Sequence, residues 1–395
     1  MAVETAGSVD RGIGSLWSDQ RFRAIAVQII VIVLLVIFTA FIVRNTAVNL
    51  EKRGIATGFG FLNVPAGFDI ATSLIPYSPT MTHGRVFFVG LLNTVLVASL
   101  GVICATIIGF VVGVLRLSPN WLINRISYVY IEVVRNIPLL LQILFWWGVF
   151  LGLPPVRNAV SIRDTIFLSN RGLQVPSPIF EPGFSAIVIA FVVAIVAALG
   201  VRRWARKRQE ATGQQFPVFW TGFALVVGLP LLVAVIMGMP LSFEVPEQRG
   251  FNYVGGFSIT PEFTALWVAL SVYTGAFIAE NVRSGIQAVS HGQTEAAYAL
   301  GLKPNWTMRL IIVPQALRVI VPPLTSQYLN LTKNSSLAIA VGYPDLVSVF
   351  ANTSLNQTGQ AIEIIAMTMA VYLSLSLAIS AFMNWYNRKI ALVER

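Results

Sequence analysis

The chain has 395 residues, 56% of them hydrophobic and only 11% charged, against about 25% charged in soluble domains, which excludes a water-soluble globule. Its net charge of +10, from 27 basic and 17 acidic residues, lacks the aromatic interleaving of a base-stacking surface, so nucleic acid is excluded as a partner and membrane topology explains the excess. Cys104 is the only cysteine, so no intrachain disulfide is possible.

Runs of roughly twenty apolar residues are membrane-span signatures. Eight segments qualify, at 24–43, 88–115, 137–153, 184–201, 217–238, 263–282, 311–333 and 364–386. A bilayer offers no partner for open backbone groups, and each run is too long for a barrel strand, so the spans are expected to be helices of an all-α polytopic membrane protein. The first run is long for a signal-peptide core and no small-residue cleavage site clearly follows it, so it reads as a retained span. The stretches 45–86 and 239–262 are rich in Gly, Pro, Ser and Phe. Within the first, VPAGFDIATSLIPYSP suits the membrane surface but is too mixed for a helix.

Lysine and arginine set the orientation. Five of the seven residues from Arg202 to Arg208 are basic, and a short loop of that kind stays cytoplasmic. The same side then holds Arg11, Arg21, Arg23, Arg116, Arg125, Arg283, Lys303, Arg309, Arg388, Lys389 and Arg395. Both chain ends are therefore expected inside. The outer segments mix Arg44, Lys52, Arg53, Arg85, Arg157, Arg163, Arg171 and Arg249 with acidic residues.

One inner loop has an unusual shape: EAAYALGLKPNWTMRLIIVPQALR, residues 295–318. Residues 295–300 favour a helix that Thr294 or Ser290 can cap. Gly301 is a natural stop, Pro304 suits the first turn of a second helix, and Pro314 is expected to kink or end that helix at the bilayer. A short rigid helix across the cytoplasmic face can transmit motion to or from a docked partner; it can also be an ordinary helical loop.

Charges in or beside spans are expensive, which makes them candidates for a transport pathway. Glu132, Arg135 and Asn136 precede the third span; the first two, three residues apart, can pair with each other or serve transport. Pro138 suggests a helix break there, where freed backbone groups can bind a ligand; Gln142 lies just beyond. Glu280 can pair simply with Arg283, and Asn281 can bond across helices. The polar run Asn330, Thr332, Lys333, Asn334, Ser335 and Ser336 interrupts an apolar segment. It can hold a substrate carboxylate or make hydrogen bonds between subunits.

His83 and His291 have no second ligand at a useful spacing, so no metal is expected. Trp146 and Trp147 read as interface anchors. No G-x-x-x-x-G-K-[ST] phosphate loop occurs, so no cofactor is expected in this chain and ATP, if used, is hydrolysed by another polypeptide.

The spacing Glu295-Ala296-Ala297, Gly301 and Pro314 resembles the EAA loop of ABC-importer permeases, with Val313 where the family often has Leu or Phe. GLLNTVLVASLGVICATIIGFVVGVLRLS (90–118), YVYIEVVRNIPLLLQILFWW (128–147), YTGAFIAENVRSGIQAV (273–289) and SQYLNLTKNSSLA (326–338) are similar to the polar-amino-acid, histidine/glutamine branch of that family. The resemblance covers about 86–150 and 262–390. It implies a type I importer core of five helices, split by an insertion at 151–262 that carries two further spans and preceded by an extra span and outer segment at 1–85. That eight-span layout resembles the Q-type subunit of general L-amino-acid importers.

The resemblance further implies a non-catalytic pore in a bacterial inner membrane. Its partners would be a second similar permease, a cytoplasmic ATPase dimer carrying ATP and magnesium, a periplasmic amino-acid-binding protein and membrane lipid. An ion-gradient-driven amino-acid transporter is the alternative, and it would require ionisable residues deep in several spans. A membrane enzyme would require a catalytic cluster, which the residues do not offer. The insertion is expected to brace the core laterally.

Overall fold

The computed structural model describes residues 20–52, 54, 57–250 and 252–390. Both chain ends and the expected inner or outer charges Arg11, Arg53 and Arg395 lie outside these residues, as does the side chain of Arg21. Helix α1 spans Gln20–Lys52, and its apolar side chains are exposed all round, as a helix bathed in lipid requires.

The core is built on α7, Pro261–Gln287. Four helices pack against it: α2 (His83–Leu115), α3 (Trp121–Asn136), α4 (Leu139–Leu151) and α9 (Pro304–Ala340). Helix α10, Ala361–Ile390, packs on α9. Lipid is as apolar as leucine, so helices in a membrane associate by close packing of small residues. Helix α2 carries Gly101, Ala105, Gly109 and Gly113 at four-residue spacing, all buried. Opposite them α7 presents Gly275, Ile278 and Ala279, and a Cβ added at Gly113 would stand 2.7 Å from the Ala279 carbonyl oxygen.

The third expected span, 137–153, differs from expectation. Helices α3 and α4 meet at 108°, because Pro138 cannot continue α3. At 13 residues, α4 is about 20 Å long and cannot cross a hydrocarbon layer of about 30 Å alone. Among the described residues seven helices are long and apolar enough to cross a membrane, or eight with the bent pair counted as one span.

The outer segments also depart from the sequence reading. Residues 57–82 are fastened to the core. Phe61, Ala66 and Ile70 are buried against Val86 and Val89 of α2 and against Val349 and Phe350 of a wide-turned helix, Val347–Ser354. Among the described residues the insertion adds eight short strands to a mostly helical chain. Strands β1 (Val160–Ile162), β2 (Ile166–Ser169), β3 (Gly172–Val175) and β8 (Phe257–Ile259) form one antiparallel sheet in the order β1-β2-β3-β8. Strands β4 (Ser177–Phe180) and β5 (Leu241–Glu244) form a ribbon, with Ile179 opposite Ser242, and β6 (Glu247–Arg249) pairs with β7 (Asn252–Val254).

The β4–β5 ribbon leads directly into a helical hairpin of α5 (Phe184–Thr212) and α6 (Val218–Ile236). These legs pack on each other, with Ala190, Ala194 and Ala234 buried. Among the described residues no helix of the core packs closely along them, which differs from the lateral brace that its apolar sequence suggests. Its outward faces are exposed and apolar along both legs.

Candidate coupling loop and pathway residues

The helix that contains Glu295 is α8, His291–Ala299. Ser290 stands at its N-cap but makes no side-chain capping bond; Thr294 lies inside the helix. The C-terminus is closed by a Schellman motif. Gly301 has φ +76°, its N–H donates to the Tyr298 carbonyl at 2.9 Å, and the Leu302 N–H donates to the Ala297 carbonyl at 3.1 Å. Glycine adopts that left-handed backbone without the steric penalty of a side chain. Ala297 is buried, whereas Glu295, Ala296 and Tyr298 are exposed and Leu300 is 81% exposed. Among the described residues Glu295 meets His291, with Nδ1 3.0 Å from Oε1. One turn of a small helix thus offers a carboxylate and two large apolar groups to a partner.

The loop is fastened to a span. Pro304 opens α9 within a first turn whose N-cap is Lys303. Of the two outcomes expected at Pro314, a kink or an end, the helix does not end there. Met308–Ile312 widens into a π-turn, in which the Val313 N–H bonds the Met308 carbonyl, and the helix runs on to Asn334. A proline removes one backbone donor, and a π-turn next to it re-registers the ladder instead of breaking it. Helix α8 packs on this turn, and Gln315 Nε2 donates to Gln293 Oε1 at 3.3 Å. A displacement of α8 therefore acts directly on α9.

The pathway candidates fall into separate groups. Glu132 is exposed and makes no ion pair with Arg135 among the described residues. The Arg135 guanidinium lies 5.0 Å from the Phe277 ring, and its buried Nε has no hydrogen-bond partner. Asn136 bonds back to the Glu132 carbonyl at 2.6 Å. Gln142 is buried, and its amide donates to the carbonyls of Val134 (2.8 Å) and Ile137 (2.9 Å). Those carbonyls are freed by the break at Pro138, and Gln142 satisfies them. Glu280 pairs with Arg283 through Arg283 Nε at 2.9 Å and a second, shorter contact. The buried Asn281 Nδ2 has no partner.

The polar run at the end of α9 divides in two. Ser335 is buried and Ser336 is partly exposed; both back-bond, to the carbonyls of Thr332 and Lys333 at 2.7 Å. Lys333 is exposed and Asn334 partly so, with no ion pair on Lys333 among the described residues. Lys333 continues a stripe of exposed positions, Val319, Pro323, Ser326 and Asn330, at alternating spacings of four and three. That spacing is one face of the helix. Lipid is a poor neighbour for such a face.

Sequence reasoning missed a buried polar cluster between α2, α10 and the segment joining α9 to α10. Asp345 is fully buried; its Oδ1 accepts from the Ser348 N–H at 2.8 Å and its Oδ2 from the Tyr372 hydroxyl at 3.3 Å. Asp345 lies between spans and has no cation against it among the described residues, so burial pushes its carboxyl up to about 7. Thr94 accepts from the Leu346 N–H at 3.0 Å, and Asn93 donates to the Pro344 carbonyl at 2.9 Å. His83 and Ser354 are joined nearby at 2.9 Å. The available signal was Asp345 following Pro344 and preceding an apolar run, an N-cap pattern.

The profile of the family described as "Binding-protein-dependent transport system inner membrane component" matches residues 105–392. The chain belongs to this family. Membership sets aside the ion-gradient alternative: the chain is a permease component of an ABC importer. It is 56% identical over 389 residues to the "General L-amino acid transport system permease protein AapQ" of Rhizobium johnstonii, covering 97% of both chains. It is 54% identical over 384 residues to the "Putative amino-acid ABC transporter permease protein YhdX" of Escherichia coli K12, covering 97% of this chain and 98% of that one. It is 45% identical over 409 residues to the "Glutamate/glutamine/aspartate/asparagine transport system permease protein BztB" of Rhodobacter capsulatus, covering 95% and 96%. All three similarities run through the insertion as well as the core.

Proposed function

We propose that this chain is the pore-forming permease of an ATP-driven importer of L-amino acids in a bacterial inner membrane, paired with a second similar permease. A periplasmic binding protein delivers the amino acid from outside. Two ATPase chains, holding ATP and magnesium, dock below against α8. The chain itself performs no covalent chemistry; it supplies the path and the mechanical link. Both of its ends and the coupling loop lie on the cytoplasmic side.

The observation that carries this reading is the geometry of α8: a capped helix with Glu295, Tyr298 and Leu300 exposed, tied to α9 through Gln293 and Gln315. Closure of the ATPases moves α8, and α9 moves with it. The exposed face of α9 from Val319 to Lys333 is then the wall that changes its neighbours, and it lines the path between the two permeases. A substrate carboxylate suits Lys333, Asn334 and Asn330 there.

The test is uptake of a panel of labelled amino acids by cells carrying Glu295→Lys, with ATPase copurification from the same membranes. The reading expects loss of both. Normal uptake with an intact complex would overturn it.

A further inference from the structure

We propose that the tip of the α5–α6 hairpin is a binding site for anionic phospholipid headgroups of the inner leaflet. The inference rests on the inside orientation given above. The apolar part of α5, residues 184–201, is about 27 Å long, close to the hydrocarbon thickness of about 30 Å. The helix does not stop there. It continues unbroken to Thr212, which carries Arg202, Arg203, Arg206, Lys207 and Arg208 out of the hydrocarbon on a rigid extension.

At 100° per residue, Arg202, Arg203, Arg206 and Lys207 fall within an arc of about 140°. All four are exposed, and none makes an ion pair among the described residues. Glu210, one turn further on the same arc, is the only acid of the extension and is also unpaired. Arg208 faces away, stacked 5.3 Å from the Trp204 ring and bonded to Gln214. Trp204, Phe219 and Trp220 are exposed at the same tip, where α5 hands over to α6, and Phe216 packs edge-on against Trp204 at 5.3 Å. Basic side chains beside a ring of exposed aromatics match the headgroup layer, where aromatic faces and cations both find partners.

Lipid is favoured over a protein because the hairpin stands off the core. Among the described residues no core helix packs along its legs, so lipid surrounds the shaft that bears the cluster. With Glu210 set against the four cations, neutral headgroups leave a net charge of +3 on this arc uncompensated, whereas phosphatidylglycerol or cardiolipin supplies the missing anions. Each basic side chain near an anionic membrane surface is worth about a five-fold preference.

The experiment uses the purified complex in phosphatidylcholine vesicles containing a minor share of phosphatidylglycerol. A dye is placed at Gln215→Cys in a Cys104→Ala background. Energy transfer is read to headgroup-labelled phosphatidylglycerol and, separately, to headgroup-labelled phosphatidylcholine. Transfer to the anionic lipid is expected to be at least about five-fold enriched, to fall at high salt, and to vanish in the variant with Arg202, Arg203, Arg206 and Lys207 all changed to Gln. A variant with the three arginines changed to Lys should keep it. Equal transfer to both lipids, or an excess that survives the four Gln changes, overturns the proposal. Loss in the lysine variant overturns it too. A separate arm treats intact cells with a membrane-impermeant maleimide. Labelling of the same cysteine from outside overturns the orientation, independently of any lipid preference measured in vesicles.

Discussion

Gly113 and Ala279 face each other so closely that a methyl group on the glycine would stand 2.7 Å from the alanine's carbonyl oxygen. The α2–α7 contact therefore depends on hydrogen atoms at Gly109 and Gly113. Gly113→Val should push the helices apart and cost about 1–3 kcal/mol, read as a lower midpoint of thermal unfolding in detergent. Gly148→Ala, where a Cβ meets nothing within 4 Å, is the matched control and should leave the midpoint unchanged.

Gln142 holds the bent pair together. Gln142→Leu removes both bonds to the carbonyls of Val134 and Ile137 and leaves these acceptors unpaired, at about 1–3 kcal/mol. Faster proteolysis or hydrogen exchange around 134–142 would register the loss. Unchanged protection there would show that the break is held by something else.

The Schellman closure at Gly301 should matter for coupling more than for assembly. A side chain in the left-handed conformation costs roughly 1–2 kcal/mol. Gly301→Val should fray the end of α8 and weaken ATPase copurification, while the amount of permease in the membrane stays near normal. Gly301→Asn, better suited to positive φ, should recover most of the binding.

Asp345 should give the stability a pH dependence. Its carboxyl ionises near 4 in the unfolded chain and about 7 in the fold, so the folded state holds the proton more tightly. The stabilisation is complete below about pH 4 and is lost as the pH rises toward and through 7. Asp345→Asn keeps an acceptor for the Ser348 N–H and does not titrate. The unfolding midpoint of the unsubstituted protein, relative to Asp345→Asn, should fall between pH 5 and 8. Parallel profiles would show that Asp345 does not titrate in that window.

Spans and loops were legible because twenty apolar residues in a row have one cheap solution in a bilayer. The coupling loop was legible because Gly301 and Pro304 each act locally, and the backbone at both follows from their own chemistry. That Pro314 would not end the helix was hidden for the complementary reason. The donor it lacks is absorbed by a π-turn that begins six residues earlier, and nothing in the neighbouring residues announces that register change. The sheet eluded the reading because β3 and β8, its partner, are separated by more than eighty residues. Strands of three or four residues, such as Gly172–Val175 and Phe257–Ile259, carry almost no periodic signal. The Asp345 cluster was hidden in the same way, since α2, the joining segment and α10 meet only after folding. Of the pathway candidates, Lys333 and Asn330 could be placed on one helix face by counting, whereas Gln142's role appears only when the 108° bend is known.

The pairing of β4 with β5 gives the insertion a neck. Everything from Glu181 to Pro240 leaves and returns through a ribbon that ends with Phe180 opposite Leu241, and among the described residues no core helix packs along what lies beyond. The hairpin is thus a cassette with a single seam. It can be shortened, lengthened or exchanged at that seam without disturbing the register of the sheet, and the core can change its contacts during transport without dragging the hairpin through the bilayer.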